Sequence, residues 1–149
     1  MKYEERHCDL FSVSPSYHFV HCISADFKLG AGIAVEFNKR FNMREKLHEL
    51  VPWGNNEDYW DTDKSHHGYC LRVDNVFNLV TKRNYWQKPT LETMRMALEN
   101  LRNTYYYPGL QLAMPKIGCG LDKLKWADVS ELIKEVFKDT DTEILVCIL

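Results

Sequence analysis

The stretch Gln111-Leu112-Ala113-Met114-Pro115-Lys116-Ile117-Gly118-Cys119-Gly120-Leu121-Asp122 decides how this chain is read. Gln111–Met114 is a short apolar run that fits a buried strand, and Pro115, which has no N–H to donate, ends it. Gly118-Cys119-Gly120 follows, ahead of a helical segment from about Trp126. The same order recurs near the N-terminus, where Gly30-Ala31-Gly32 lies between the apolar run His18–Ile23 and a helical segment from Ile33. In an α/β sheet both turns fall at carboxyl ends of strands, where ligands bind. Glycine lets backbone N–H groups approach a phosphate, and the following helix N-terminus adds positive potential. Two such turns could grip a diphosphate from both sides, or each could be only a tight turn, since short glycine motifs are weak evidence. Neither contains GxxxxGK[ST], and Val35 stands where GxGxxG needs its last glycine. A nucleotide kinase and an ordinary dehydrogenase therefore do not fit.

Working outward, Leu91, Met94, Leu98, Leu101 and Tyr105 recur at steps of three and four. That spacing predicts a helix from about Thr90 to Tyr105, entered behind Pro89. Trp126, Val129, Leu132, Ile133, Val136 and Phe137 form a second stripe, with Asp128 and Glu131 in its first half, where the helix dipole favours acids. A third helix is expected over Ile33–Phe41, with a weaker continuation through Arg44–Leu50. Strands are expected at His18–Ile23, Tyr69–Val73, Val76–Thr81, Gln111–Met114 and Glu143–Ile148, with a weak one near Tyr3–His7. Asp74-Asn75 separates two apolar runs by two turn-forming residues, the mark of a hairpin. The remaining strands alternate with helices. The fold class is thus α/β: a mixed central sheet flanked by helices on both faces. Val51–Gly68 is polar, acidic and rich in turn residues, and reads as a surface loop whose Trp53, Tyr59 and Trp60 pack back or cover a site.

A chain of 149 residues makes one domain, 1–149, able to bury a core without staples. Its hydrophobic fraction of 45% and net charge of −2 exclude a disordered tail and a protein that holds polyanions by bulk charge. The five cysteines, Cys8, Cys22, Cys70, Cys119 and Cys147, are odd in number, widely spaced and without a CxxC pair. That argues against a disulfide framework or a zinc site and for a reducing compartment. The opening MKYEERHCDLF carries charge where a signal peptide needs an apolar core, and the apolar run Ile144–Leu149 is too short to span a bilayer. The expected location is cytoplasmic, or nuclear in a eukaryote.

Two side chains stand out as reactive candidates. Lys82 follows the apolar run Val76–Thr81 and precedes Arg83. A lysine withdrawn from water beside a second cation can act as a neutral nucleophile, although most lysines are simply solvated. Asp122, two residues beyond Gly120, could serve as general base next to a bound phosphate, or merely begin a helix. His66-His67, His18 and His21 lack a carboxylate cluster of suitable spacing, so no metal and no cofactor is expected. His18 and His21 fit core or hydrogen-bonding roles.

Taken together the segments resemble the macrodomain family, and within it the terminal ADP-ribose protein glycohydrolase branch. The resemblance rests on Asp9-Leu10-Phe11, His21-Cys22-Ile23-Ser24, Gly30-Ala31-Gly32-Ile33-Ala34-Val35, Thr81-Lys82-Arg83, Lys88-Pro89-Thr90 and Met114 through Asp122, with Trp126 and Glu135-Val136-Phe137. It runs in order over nearly the whole chain. It implies a three-layer macrodomain fold. It also implies that Asp9 binds the adenine amino group with Leu10 beside it. Ser24 and Gly30, Ala31, Gly32, Ile33 and Ala34 would line the distal ribose and diphosphate. Ile117, Gly118, Cys119, Gly120 and Leu121 would be the second phosphate loop. Lys82 would attack the anomeric carbon to give a lysyl–ADP-ribose adduct, and Asp122 would help form and resolve it.

The implied activity is removal of ADP-ribose from acidic side chains of proteins, together with deacetylation of O-acetyl-ADP-ribose. The implied partner is ADP-ribose or an ADP-ribosylated protein, with nucleic acid only as an ADP-ribosylated substrate, no membrane, and a monomeric chain. Three features depart from the family pattern: Cys8 before Asp9 where glycine is usual, Cys147-Ile148-Leu149 where an aromatic often meets adenine, and the longer segment Val51–Gly68. Alternatives are a reader without turnover, a phosphatase on ADP-ribose 1″-phosphate, and a DNA ADP-ribosyl hydrolase. For the last, Lys82, Arg83, Lys88, Lys123 and Lys125 would supply a local basic patch.

Overall fold

The computed structural model describes residues 1–51 and 68–148. The loop expected over Val51–Gly68, with its three aromatics and His66-His67, lies almost wholly outside the described residues. Among the described residues the elements run β1 (Lys2–His7), β2 (His18–Ser24), α1 (Ile33–Phe41), α2 (Met43–Leu50), β3 (Tyr69–Val73), β4 (Val76–Lys82), α3 (Leu91–Tyr105), β5 (Gln111–Met114), α4 (Trp126–Phe137) and β6 (Glu143–Ile148), with a 3-10 turn at Leu10–Ser12.

Local chemistry accounts for the boundaries. Thr90 caps α3, its hydroxyl accepting from the Thr93 N–H at 3.1 Å while the Thr93 hydroxyl accepts from the Thr90 N–H at 3.0 Å. Asn42 adopts a left-handed conformation, with φ of 53°, between α1 and α2. The expected weak continuation is therefore a separate helix, because asparagine tolerates that conformation better than most residues. Asp74, with φ of 54°, turns β3 into β4, and the hairpin pairs Val73 with Val76.

The six strands lie in the order β1-β6-β5-β2-β4-β3. Only the hairpin partner β3 is antiparallel to its neighbour, which makes the sheet mixed as the sequence implied. Side chains alternate across it. Phe19 and Ile23 of β2 join Phe37, Met43 and Leu47 of the α1–α2 layer, whereas Val20 joins Met94, Leu98, Val129 and Ile133 of the α3–α4 layer. The result is a three-layer sandwich with a core on each face of the sheet. No helix among the described residues is long and apolar enough to cross a membrane.

This topology decides where a ligand can sit. Neighbouring strands β2 and β5 send their chains to opposite faces, β2 into α1 and β5 into α4. A crevice therefore opens between their carboxyl ends.

Candidate active site

The crevice is a cleft of about 890 Å³. Its walls are the loop after β2, the N-terminus of α1, the end of β4, and the loop after β5. Ser24, Gly30, Ala31, Gly32, Ile33, Ala34, Lys82, Ile117, Gly118, Gly120, Leu121 and Asp122 all line it. Both glycine turns thus face one space. A Cβ built on Gly32 would lie 3.6 Å from the Leu121 methyl, so the turns approach each other across the cleft.

Lys82 and Asp122 meet at its floor. The Lys82 ammonium donates to Asp122 Oδ1 at 2.7 Å, with the two side chains 14% and 15% exposed. Ser24 is registered beside Lys82 on the neighbouring strand. Lys82 and Ser24 thus stand together where two parallel strands end, and Asp122 reaches Lys82 from the loop after β5.

Different forces support the two turns. In the first, Phe27 and Leu29 have φ of 54° and 47°, a costly conformation for side chains of that bulk. Both are buried, which anchors them. The buried Asp26 fastens the same loop. Its Oδ1 accepts from the Ser24 hydroxyl at 2.5 Å and the Lys28 N–H at 3.2 Å, and its Oδ2 from the Tyr85 N–H at 2.8 Å. The Arg44 guanidinium also donates to the Lys28 carbonyl from Nε at 2.9 Å. In the second turn Gly118 has φ of 73°, and a Cβ there would fall 2.7 Å from the Met94 methyl and 3.1 Å from Leu124. That turn is held by packing against α3.

Asp9, Leu10 and Cys119 stand apart from the lining. Asp9 is exposed just past β1, where its carboxylate accepts from the Phe11 N–H and the Ser12 hydroxyl, each at 3.0 Å. The Phe11 N–H, and after it the Ser12 hydroxyl, hold its carboxyl below the usual range. Leu10 is buried in the core beside Ile23, Ala25 and Ala34. The Cys119 thiol turns back to the Ile117 carbonyl at 3.3 Å. Asp9 and Leu10 share the carboxyl edge of the sheet with the cleft, but the structure does not bring them into it.

Several lining residues escaped the sequence reading. Arg44 comes from α2, and Tyr85 and Trp86, both largely exposed, follow Lys82 at the mouth. Nothing in their spacing marks them. Asp26, which bonds the expected Ser24 from behind the lining, was also missed, although it had a faint signal as an acid two residues from a serine at a strand end. Of the basic patch expected around Lys82, Lys88 donates to the Leu121 carbonyl at 2.6 Å and so bridges the mouth.

Cys22 lines the cleft, but burial, and after it the Asp122 charge, push its thiol up and keep it protonated. No group of three or more His, Cys, Asp or Glu among the described residues could hold a metal ion. His21 is buried and bonded to Asn78 Oδ1 at 2.6 Å, and stacks on Phe37 at 4.0 Å between centroids, a core role as expected.

No protein-family model matches the chain. Over 142 residues it is 39% identical to the ADP-ribose glycohydrolase OARD1 of Bos taurus, covering 93% of this chain and 86% of that one. Its fold superposes on the macrodomain of Mycobacterium tuberculosis DarG with a TM-score of 0.72 at 19% identity, covering 96% of each chain. It also superposes on Thermosipho africanus DarTG in complex with ADP-ribose, with a TM-score of 0.67 at 16% identity, covering 99% of this chain and 42% of that one. With a macrodomain architecture and that level of identity across nearly its whole length, this chain belongs to the ADP-ribose glycohydrolase OARD1 family.

Proposed function

We propose that the cleft hydrolyses the glycosidic bond between ADP-ribose and an acidic side chain, with Lys82 as nucleophile and Asp122 as its proton partner. Membership of an ADP-ribose glycohydrolase family supports hydrolase activity on ADP-ribosyl groups. The observation that carries the residue roles is the Lys82–Asp122 contact of 2.7 Å between the two glycine turns. A module that only binds ADP-ribose needs neither residue.

In this reading the diphosphate rests between Gly30–Gly32 and Gly118–Gly120, near the N-terminus of α1, where backbone N–H groups and the helix dipole favour negative charge. Fixing the diphosphate presents the distal ribose to Lys82. Asp122 takes a proton from the Lys82 ammonium, freeing the lone pair of the amine. Nζ bonds to the anomeric carbon as the carbon–oxygen bond breaks, and its electron pair leaves with the protein carboxylate. Positive charge builds on the ribose in this step, and a nucleophile on one face shares it. Asp122 then passes its proton to solvent, and as a carboxylate it takes one from the water that attacks the anomeric carbon while the bond to Nζ breaks and its electron pair leaves with the amine of Lys82. Holding the anomeric carbon against Lys82 supplies several kcal/mol of the barrier on general grounds.

Lys82→Ala is expected to lower turnover of glutamate-linked ADP-ribose by about 10³-fold or more, ~4 kcal/mol of barrier, while free ADP-ribose still binds. Lys82→Arg fails equally, since guanidinium stays protonated. With Asp122→Ala, intact-mass spectrometry should find ADP-ribose accumulating on the chain, and peptide mapping should place it at Lys82. Near wild-type turnover by Lys82→Ala would remove the covalent route.

A second reading rests on Tyr85 and Trp86. Exposed aromatics beside Lys28, Arg44 and Lys88 at the mouth suit stacking of a nucleobase, so an ADP-ribosylated nucleic-acid strand is the competing substrate. Turnover of protein-linked and DNA-linked ADP-ribose, compared in wild type and Trp86→Ala, separates the two readings. Only the second predicts selective loss with DNA.

A further inference from the structure

The cluster around Asp26 has no part in the chemistry above. Its carboxylate is buried, and its two oxygens accept from three donors belonging to two loops: the Ser24 hydroxyl and Lys28 N–H after β2, and the Tyr85 N–H after β4. A hydroxyl has one proton and two lone pairs. With its proton held by Asp26 at 2.5 Å, the Ser24 oxygen offers the cleft lone pairs alone. Ser24 also lines the cleft beside Lys82, at the end where the reacting carbon would lie.

We propose that Asp26 sets the hydrogen-bond polarity of Ser24, so that the reactive end of the cleft accepts a neutral ribose hydroxyl and discriminates against a phosphate on the same carbon. This rests on the ADP-ribose reading of the cleft. A ribose hydroxyl donates to Ser24 without disturbing the Ser24–Asp26 bond. An ionised phosphate monoester has no proton to give at pH 8. It must either face the Ser24 lone pairs or pull the serine proton away from Asp26, leaving a buried carboxylate short of one donor near a second anion. Both are unfavourable. Asp26 is thereby a positioning residue that sets specificity through Ser24. Its third bond, to Tyr85 N–H, carries the same constraint to the mouth of the cleft.

Asparagine at this position is close in shape but has only one acceptor oxygen. Turned with its amide toward Ser24, it donates to that oxygen and releases the serine proton. Turned the other way, it loses the Tyr85 bond. The test is calorimetric titration at pH 8 with ADP-ribose and with ADP-ribose 1″-phosphate, on wild type, Asp26→Asn, Ser24→Ala and the double variant. Wild type should prefer ADP-ribose by about tenfold, the worth of one hydrogen bond. Asp26→Asn should bring that ratio toward one. Ser24→Ala, which leaves Asp26 in place, should also narrow it, by weakening ADP-ribose and by removing the lone pairs that oppose the phosphate. In the double variant, removing Asp26 should add nothing to Ser24→Ala. A ratio unchanged by Ser24→Ala overturns the proposal even where Asp26→Asn fails to fold. A folded Asp26→Asn that weakens both ligands equally shows a merely structural carboxylate and overturns it as well. If neither ligand binds wild type, the ADP-ribose reading itself fails, an outcome distinct from an unchanged ratio.

Discussion

The two glycine turns share a sequence pattern and differ in what holds them. The turn after β2 relies on polar bonds and on buried side chains at unfavourable φ: Asp26 bonded within its own loop and across to Tyr85 after β4, Arg44 on a carbonyl, Phe27 and Leu29 in left-handed conformations. The turn after β5 relies on steric fit, Gly118 lying where no side chain can enter between Met94 and Leu124. Similar motifs can thus present N–H groups to one ligand while failing for different reasons. Polar support can be retuned by a single proton or charge, whereas close packing resists anything larger than hydrogen.

Gly118→Val should expose this difference most strongly. A branched side chain there combines positive φ with overlap against α3, for a combined loss on the order of 4 kcal/mol of stability, read by urea unfolding. If Gly118→Val keeps wild-type stability, the second turn is not held by fit.

Acid should act on the other side of the sheet. His21 lies on the α1 face, stacked on Phe37 and bonded to Asn78, and burial pushes its imidazole down to about 4, with the Asn78 bond opposing. The folded state keeps it neutral while the unfolded chain takes a proton below about 6.5. The unfolded state then binds more protons, so stability present above pH 6.5 is lost as pH falls toward 4, by about 3 kcal/mol. Unfolding measured from pH 7.5 to 4 in wild type and His21→Gln checks this. An equal slope in both would acquit His21.

Gly32→Val comes next. The left-handed φ of 63° opposes valine, but the nearest neighbour is only a flexible leucine methyl at 3.6 Å. The fold should survive with a loss of about 1–2 kcal/mol while, on the proposed seating of the diphosphate between the turns, ADP-ribose affinity falls about tenfold because the branched chain enters that space. The smallest effect is expected from Gly120→Ala, whose added methyl meets nothing within 4 Å: stability within about 0.5 kcal/mol of wild type. A large stability loss there, or a small one at Gly118, would invert the comparison.

Much of the architecture was legible in the chain because it is written locally. The period of Leu91–Tyr105, the Asp74-Asn75 turn and the two GxG pairs each reflect constraints between near neighbours, and such constraints survive without tertiary context. They were enough to place Lys82 and both turns at strand ends, and the resemblance then added Ser24 and implied one ligand shared among them. Asp9 and Cys119 show where this stops. Their motif positions matched, but whether a side chain enters a cleft depends on what bonds it on arrival. Asp9 turns to its own Phe11 and Ser12, and Cys119 to Ile117.

The sequence by itself determined the strands, the helices and the glycine turns, since these depend on spacing along the chain, and it offered Lys82 and Asp122 as reactive candidates whose roles came only from the family resemblance. Only the tertiary structure decided that Lys82 touches Asp122 forty residues away, that Arg44 of a different helix braces the first turn, and that Asp26 takes the proton of Ser24. Those contacts follow from strand order, with β2 between β5 and β4, and from the burial that leaves a carboxylate no water to bond.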